Sequence, residues 1–122
     1  MTERLPRILY VDDEVFNLEL FKLTYKNHYD VIVASSGPEA LQMMDASDDI
    51  RLIVSDMNMP LMNGLEFIAE AKKVKPELPM VILSGYMRTE TIDRAIDSGL
   101  IEEYFMKPLK REELIHFISE KL

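Results

Sequence analysis

The chain has 122 residues, enough for one domain and too few for two. Hydrophobic residues make up 48% and charged residues 30%, which suffices for one ordinary core, and the net charge of −8 argues against direct binding to nucleic acid or to an anionic membrane. No cysteine is present, which excludes a disulfide framework, a thiol nucleophile and a thiolate metal site.

The opening segment Met1-Thr2-Glu3-Arg4-Leu5-Pro6-Arg7 precedes an apolar run of only four residues, Ile8 to Val11, which ends in three acids. A secretory core needs about 7–15 apolar residues and a membrane span about 20, so a cytoplasmic protein is expected. Four further short apolar runs follow: Val31–Val33, Leu52–Val54, Met80–Leu83 and Tyr104–Met106. They are continuous rather than alternating, as in strands buried on both faces of a parallel sheet.

Helix-period stretches lie between these runs. Phe16, Leu20 and Leu23 share one face in the first, at i, i+4 and i+7, and Ala40, Leu41 and Met44 do so in the second. Ser36-Gly37-Pro38 reads as a helix start, with a polar cap and proline in the first turn. Leu65, Ile68 and Ala69 mark the third helix, after the turn Asn63-Gly64. Ile92, Ala95 and Ile96 mark the fourth, which Ser98-Gly99 ends, and Leu114, Phe117, Ile118 and Leu122 mark the fifth. Five strand–helix pairs with short connections predict an α/β fold: a doubly wound five-stranded parallel sheet flanked by five helices. One domain over residues 1–122 is expected, with no effector domain after the fifth helix.

In open α/β sheets, sites form beyond the C-terminal ends of the strands. Here the first strand runs into Asp12-Asp13-Glu14, the third into Ser55-Asp56, the fourth into Ser84-Gly85 and the fifth into Lys107-Pro108. Any one of these alone reads as helix capping or surface; acids before a helix, for instance, suit its dipole. In a flavodoxin-like strand order 2-1-3-4-5 the acidic ends of strands 1 and 3 become neighbours. Three carboxylates roughly 4–5 Å apart repel by about 3–4 kcal/mol per pair at an effective dielectric near 20. Such a cluster needs a cation, and oxygen ligands without His or Cys favour a hard ion such as Mg²⁺. His28 and His116 lack metal-ligand spacing.

Taken together, Val11-Asp12-Asp13-Glu14, Ser55-Asp56-Met57-Asn58-Met59-Pro60, Asn63-Gly64, Ser84-Gly85 and Lys107-Pro108 resemble the receiver domain of two-component response regulators, over essentially the whole chain. The resemblance implies that Asp56 is the phosphoacceptor, attacking the phosphohistidine of a sensor histidine kinase or phosphotransfer protein. It implies that Asp13, Asp56 and the backbone carbonyl of Asn58 hold Mg²⁺, with Asp12 acting through a bound water. Lys107 would pair with one phosphoryl oxygen and Ser84 would donate a hydrogen bond to another. Ser84 and Tyr104 would form the switch, and the bond before Pro108 would be cis. The surface of helix 4, strand 5 and helix 5 would then control a downstream protein or an effector domain, or pair with a second phosphorylated copy. Such a domain catalyses only its own phosphorylation and dephosphorylation. Leu100, after Gly99, departs from the small residue usual there. Two other functions compete. A small Mg²⁺-dependent aspartate-nucleophile phosphatase wants a second Asp two residues after the nucleophile, where this chain has Asn58. A non-phosphorylated receiver-like interaction module usually lacks an acid or the lysine, and here none is missing.

Overall fold

The computed structural model describes residues 4–122. Five strands, β1 (Arg7–Val11), β2 (Asp30–Ala34), β3 (Ile50–Asp56), β4 (Met80–Ser84) and β5 (Glu103–Met106), alternate with five helices. These are α1 (Val15–Tyr25), α2 (Gly37–Ala46), α3 (Gly64–Val74), α4 (Glu90–Asp97) and α5 (Arg111–Lys121). All strand pairs are parallel, in the order β2-β1-β3-β4-β5, as the alternating pattern predicts. Every residue of β4 is buried, and in β3 only Arg51 is exposed, whereas the edge strands β2 and β5 are half-buried.

Alternation along the strands divides the interior in two. Leu9, Val11, Ile53, Met80 and Ile82 face α2, α3 and α4, where Met44, Phe67, Ile68 and Ile92 meet them. Ile8, Tyr10, Leu52, Val54, Val81 and Leu83 face α1 and α5, against Leu18, Phe21, Tyr25, Leu114 and Ile118. Each fully buried large side chain contributes roughly 1.5–3 kcal/mol, so the two faces together hold the sheet.

Helix starts follow local chemistry. The Ser36 hydroxyl accepts from the Glu39 N–H, with Pro38 in the first turn of α2. Asn63 and Glu66 form a reciprocal capping box at α3. The Thr89 hydroxyl accepts from the Ile92 N–H at α4, and Gly99, at φ 81°, turns the chain out of that helix as Ser98-Gly99 predicts. Leu100 is half-buried and packs against the core, while Ile101 beside it is fully buried.

The apolar face expected of the first helix is not the one that packs. Phe16 (74% exposed), Leu20 and Leu23 point to solvent, and Leu18, Phe21 and Tyr25 enter the core. Both triads have helical spacing; Phe21 wins because its ring stacks on Tyr10 of β1, with centroids 4.0 Å apart. In α3, Gly64, Phe67, Ile68 and Ala71 are buried, so Ile68 enters the core as expected, while Leu65 packs against it half-buried and Ala69 is half-buried. In α5, Leu114 and Ile118 are buried, Phe117 is half-buried and Leu122 is exposed.

Candidate functional site

Register brings the unusual residues to one end of the sheet. Val11 pairs with Ser55, so the residues that follow, Asp12 and Asp56, lie side by side. Asp56 pairs with Leu83 and Ser84 with Met106, which sets Ser84 and Lys107 along the same edge. One carboxylate oxygen from each of Asp12, Asp13 and Asp56 falls within 4.8 Å of the other two. Asp12 is fully buried and Asp56 nearly so, whereas Asp13 is exposed. His28 and His116 are both exposed.

Lys107 Nζ lies 3.1 Å from Asp56 Oδ1 and 3.5 Å from Asp12 Oδ2. Burial raises the Asp56 carboxyl above its ordinary pKa; the charge of Asp12 adds to this, and Lys107 and the Met57 N–H oppose it. Burial acts to lower the Lys107 pKa, but hydrogen bonding and charge from Asp56, then Asp12, outweigh it and the ammonium is raised. One lysine therefore does not neutralise the cluster. An oxygen-only, net-negative donor set of this size fits a hard divalent cation.

Asp12 is held from four directions. Its Oδ2 accepts from the Tyr10 hydroxyl at 2.6 Å, from Asn17 Nδ2 at 3.1 Å and from Lys107, and its Oδ1 accepts from the Glu14 N–H at 3.0 Å. Sequence reasoning missed Tyr10 and Asn17. For Tyr10 the available signal was spacing, since residues two apart along an extended chain point to the same side; Asn17, on α1, offered no such spacing.

The loop after β3 leaves Asn58 exposed and Met59 buried. Gly64 closes this loop. Its N–H donates to the Met57 carbonyl at 2.8 Å, and a Cβ there would sit 2.4 Å from the Asp56 carbonyl oxygen. The close approach of this backbone to Asp56 thus requires glycine at position 64. Leu61, in the same loop, adopts a left-handed φ of 71°.

Ser84 is buried, and its hydroxyl accepts from the Tyr86 N–H at 3.1 Å. Tyr104, half-buried against the core, donates its hydroxyl to the Tyr86 carbonyl. Ser84 and Tyr104 therefore meet at the backbone of one residue, while the Tyr86 ring is largely exposed. The Lys107–Pro108 peptide bond is cis.

Residues 8–119 match the response regulator receiver domain family. The chain belongs to that family. It is 28% identical over 120 residues to the hydrogenase transcriptional regulatory protein HoxA of Cupriavidus necator, covering 98% of this chain and 25% of that protein. It is 30% identical over 120 residues to a chemotaxis protein CheY homologue of Campylobacter jejuni, covering 95% of this chain and 92% of the relative. The chain thus spans about a quarter of the length of the transcriptional regulator and nearly all of the chemotaxis protein. The response regulator TrrA of Thermotoga maritima, solved in complex with Mg²⁺-BeF, superposes with a TM-score of 0.81 at 29% identity, over 97% of this chain and 100% of that one. Receiver domains are signalling modules of two-component systems rather than metabolic enzymes. They exchange contacts with histidine kinases or phosphotransfer proteins and with effectors, and Mg²⁺ is typical of them. No helix among the described residues is long and apolar enough to cross a membrane.

Proposed function

We propose that this receiver domain accepts a phosphoryl group on Asp56 and passes the change to a partner through α4, β5 and α5. The observation that carries this reading is the meeting of three carboxylates within 4.8 Å, with Lys107 Nζ 3.1 Å from Asp56. Asp13, Asp56 and the carbonyl of Asn58 would hold Mg²⁺, with Asp12 contributing through a bridging water. Bound there, the ion would neutralise charge on the phosphoryl oxygens. Asp56 in its anionic form needs no general base: its oxygen bonds to phosphorus as the P–N bond of a phosphohistidine breaks, and the imidazole leaves with the electron pair. A loose transition state of this kind needs positioning and charge more than covalent help. Lys107 pairs with one phosphoryl oxygen, and Ser84 donates to another after releasing Tyr86.

That release is the switch. Phosphorylation replaces the single negative charge of the Asp56 carboxylate with an acyl phosphate of about −1.5 to −2 and sets strong acceptor oxygens beside Ser84. The Ser84 hydroxyl turns toward them, and the Tyr86 backbone, which also holds the Tyr104 hydroxyl, follows. The donor is a sensor histidine kinase or a phosphotransfer protein in the cytoplasm. The output is a downstream protein, an effector domain or a second phosphorylated copy, and the domain catalyses only its own phosphorylation and dephosphorylation. One domain covering residues 1–122 performs this role. Acetyl phosphate with Mg²⁺ should add a single phosphoryl group, seen by mass spectrometry, and Asp56→Asn should take none. Equal incorporation in the variant overturns the assignment.

A further inference from the structure

We infer that Tyr10 is a positioning residue for this site, acting through Asp12; the inference rests on the phosphoacceptor reading above. Tyr10 sits two residues before Asp12 on β1, on the side that packs against α1, and only 2% of it is exposed. Its ring is clamped against Phe21, with centroids 4.0 Å apart and planes within 8°, so its hydroxyl has little freedom of direction. That hydroxyl makes the shortest of the bonds to Asp12, 2.6 Å to Oδ2. Lys107 reaches the same oxygen at 3.5 Å but Asp56 at 3.1 Å. The two carboxylates compete for one ammonium, and a donor that satisfies Asp12 from within the core leaves Lys107 nearer Asp56. Asp12 without this donor would turn toward Lys107, pulling the ammonium from Asp56 and its own carboxylate from the metal side of the cluster. Hydrogen bonds to charged groups are among the stronger ones, and a buried carboxylate cannot replace a lost donor with bulk water.

The test is a cycle of Tyr10→Phe and Asp12→Ala in the full chain, read by Mg²⁺ affinity from amide chemical shifts and by the phosphorylation rate with acetyl phosphate at saturating Mg²⁺. Phenylalanine keeps the stacked ring, and a thermal melt checks that it folds. Tyr10→Phe should weaken Mg²⁺ binding about fivefold and slow phosphorylation by a similar factor. In the Asp12→Ala background the same substitution should change both by less than about twofold, because its target is gone. Affinity that is unchanged or tighter in Tyr10→Phe overturns the inference, as does an equal loss in both backgrounds, which would mark Tyr10 as merely structural. Failure of the unaltered chain to bind Mg²⁺ or take a phosphoryl group would instead bring down the reading of the site itself.

Discussion

Asp56→Asn removes one carboxylate from the cluster while keeping an oxygen that Lys107 can still reach. The three carboxylate oxygens lie within 4.8 Å of one another, a range at which each pair repels by about 3–4 kcal/mol at an effective dielectric near 20. Lys107 at 3.1 Å returns about 5 kcal/mol on the same basis. Asp13 is exposed, so solvent cuts its share. Burial of Asp56 then tips the balance, as its raised pKa records: burial first, the Asp12 charge second, with Lys107 and Met57 opposing. The folded state holds the Asp56 proton more tightly than the unfolded chain does. Stability therefore falls as pH rises from the unfolded pKa through the folded one. Above that window the natural protein carries the whole penalty and the Asn variant none. Without divalent ions at pH 7.5, Asp56→Asn should be more stable by about 1–2 kcal/mol, a melting shift of roughly 3–8 °C for a domain of this size. The gap should close below the ordinary carboxylate range, and Mg²⁺ should narrow it by stabilising the natural protein through binding. Urea or thermal unfolding at several pH values reads this directly. A variant that is no more stable at pH 7.5, or a gap that widens toward acid, would refute the electrostatic reasoning.

Asp13→Ala should cost more Mg²⁺ affinity than Asp12→Ala, since Asp13 would meet the ion directly and Asp12 only through a water; equal losses by calorimetric titration would count against this. Gly64→Ala would push a methyl to 2.4 Å from the Asp56 carbonyl oxygen and 3.0 Å from Met57 Cα, both backbone atoms. It should destabilise the fold by about 2–3 kcal/mol and slow phosphorylation, and unaltered urea unfolding would contradict this. Leu61 is 90% exposed at φ 71°, so Leu61→Asn should raise stability by about 0.5–1 kcal/mol in the same assay, and a loss would show that its side chain packs. Ser84→Ala should still be phosphorylated, but amide shifts on adding beryllofluoride should stop short of Tyr104 and α4; shifts that reach them unchanged would exclude the Ser84 route.

The sheet was legible because its inner strands β1, β3 and β4 are buried on both faces, so each appears as an unbroken apolar run whatever the side chains pack against. The strand-end residues were legible for a related reason. A carboxylate, a serine and a lysine at successive strand ends have no packing role to hide behind, and the register then brings them to one edge. What could not be read were contacts decided by three-dimensional neighbours. Nothing in the composition of Tyr10 separates a core aromatic from one whose hydroxyl orders Asp12; only the ring of Phe21 and the position of Asp12 make the difference. The meeting of Ser84 and Tyr104 at the Tyr86 backbone was hidden in the same way, because it runs through main-chain atoms that carry no sequence signal.

The first helix shows how far periodicity alone carries. Its residues Phe16, Leu20 and Leu23 and its residues Leu18, Phe21 and Tyr25 both follow helical spacing, so α1 is apolar on two sides. Summed hydrophobicity does not choose between them, since either triad could cover a sheet. The choice falls to shape. Tyr10 and Phe21 stack, Phe21 meets Tyr25 at 4.7 Å, and Tyr25 meets Tyr29 at 5.9 Å, a ladder of rings that only one rotation of the helix allows. That rotation also brings Asn17 within 3.1 Å of Asp12. Rotating α1 to bury Phe16 instead would break the ladder and withdraw Asn17 from the acidic site. The packing of this helix and the orientation of Asp12 are therefore settled by the same set of contacts.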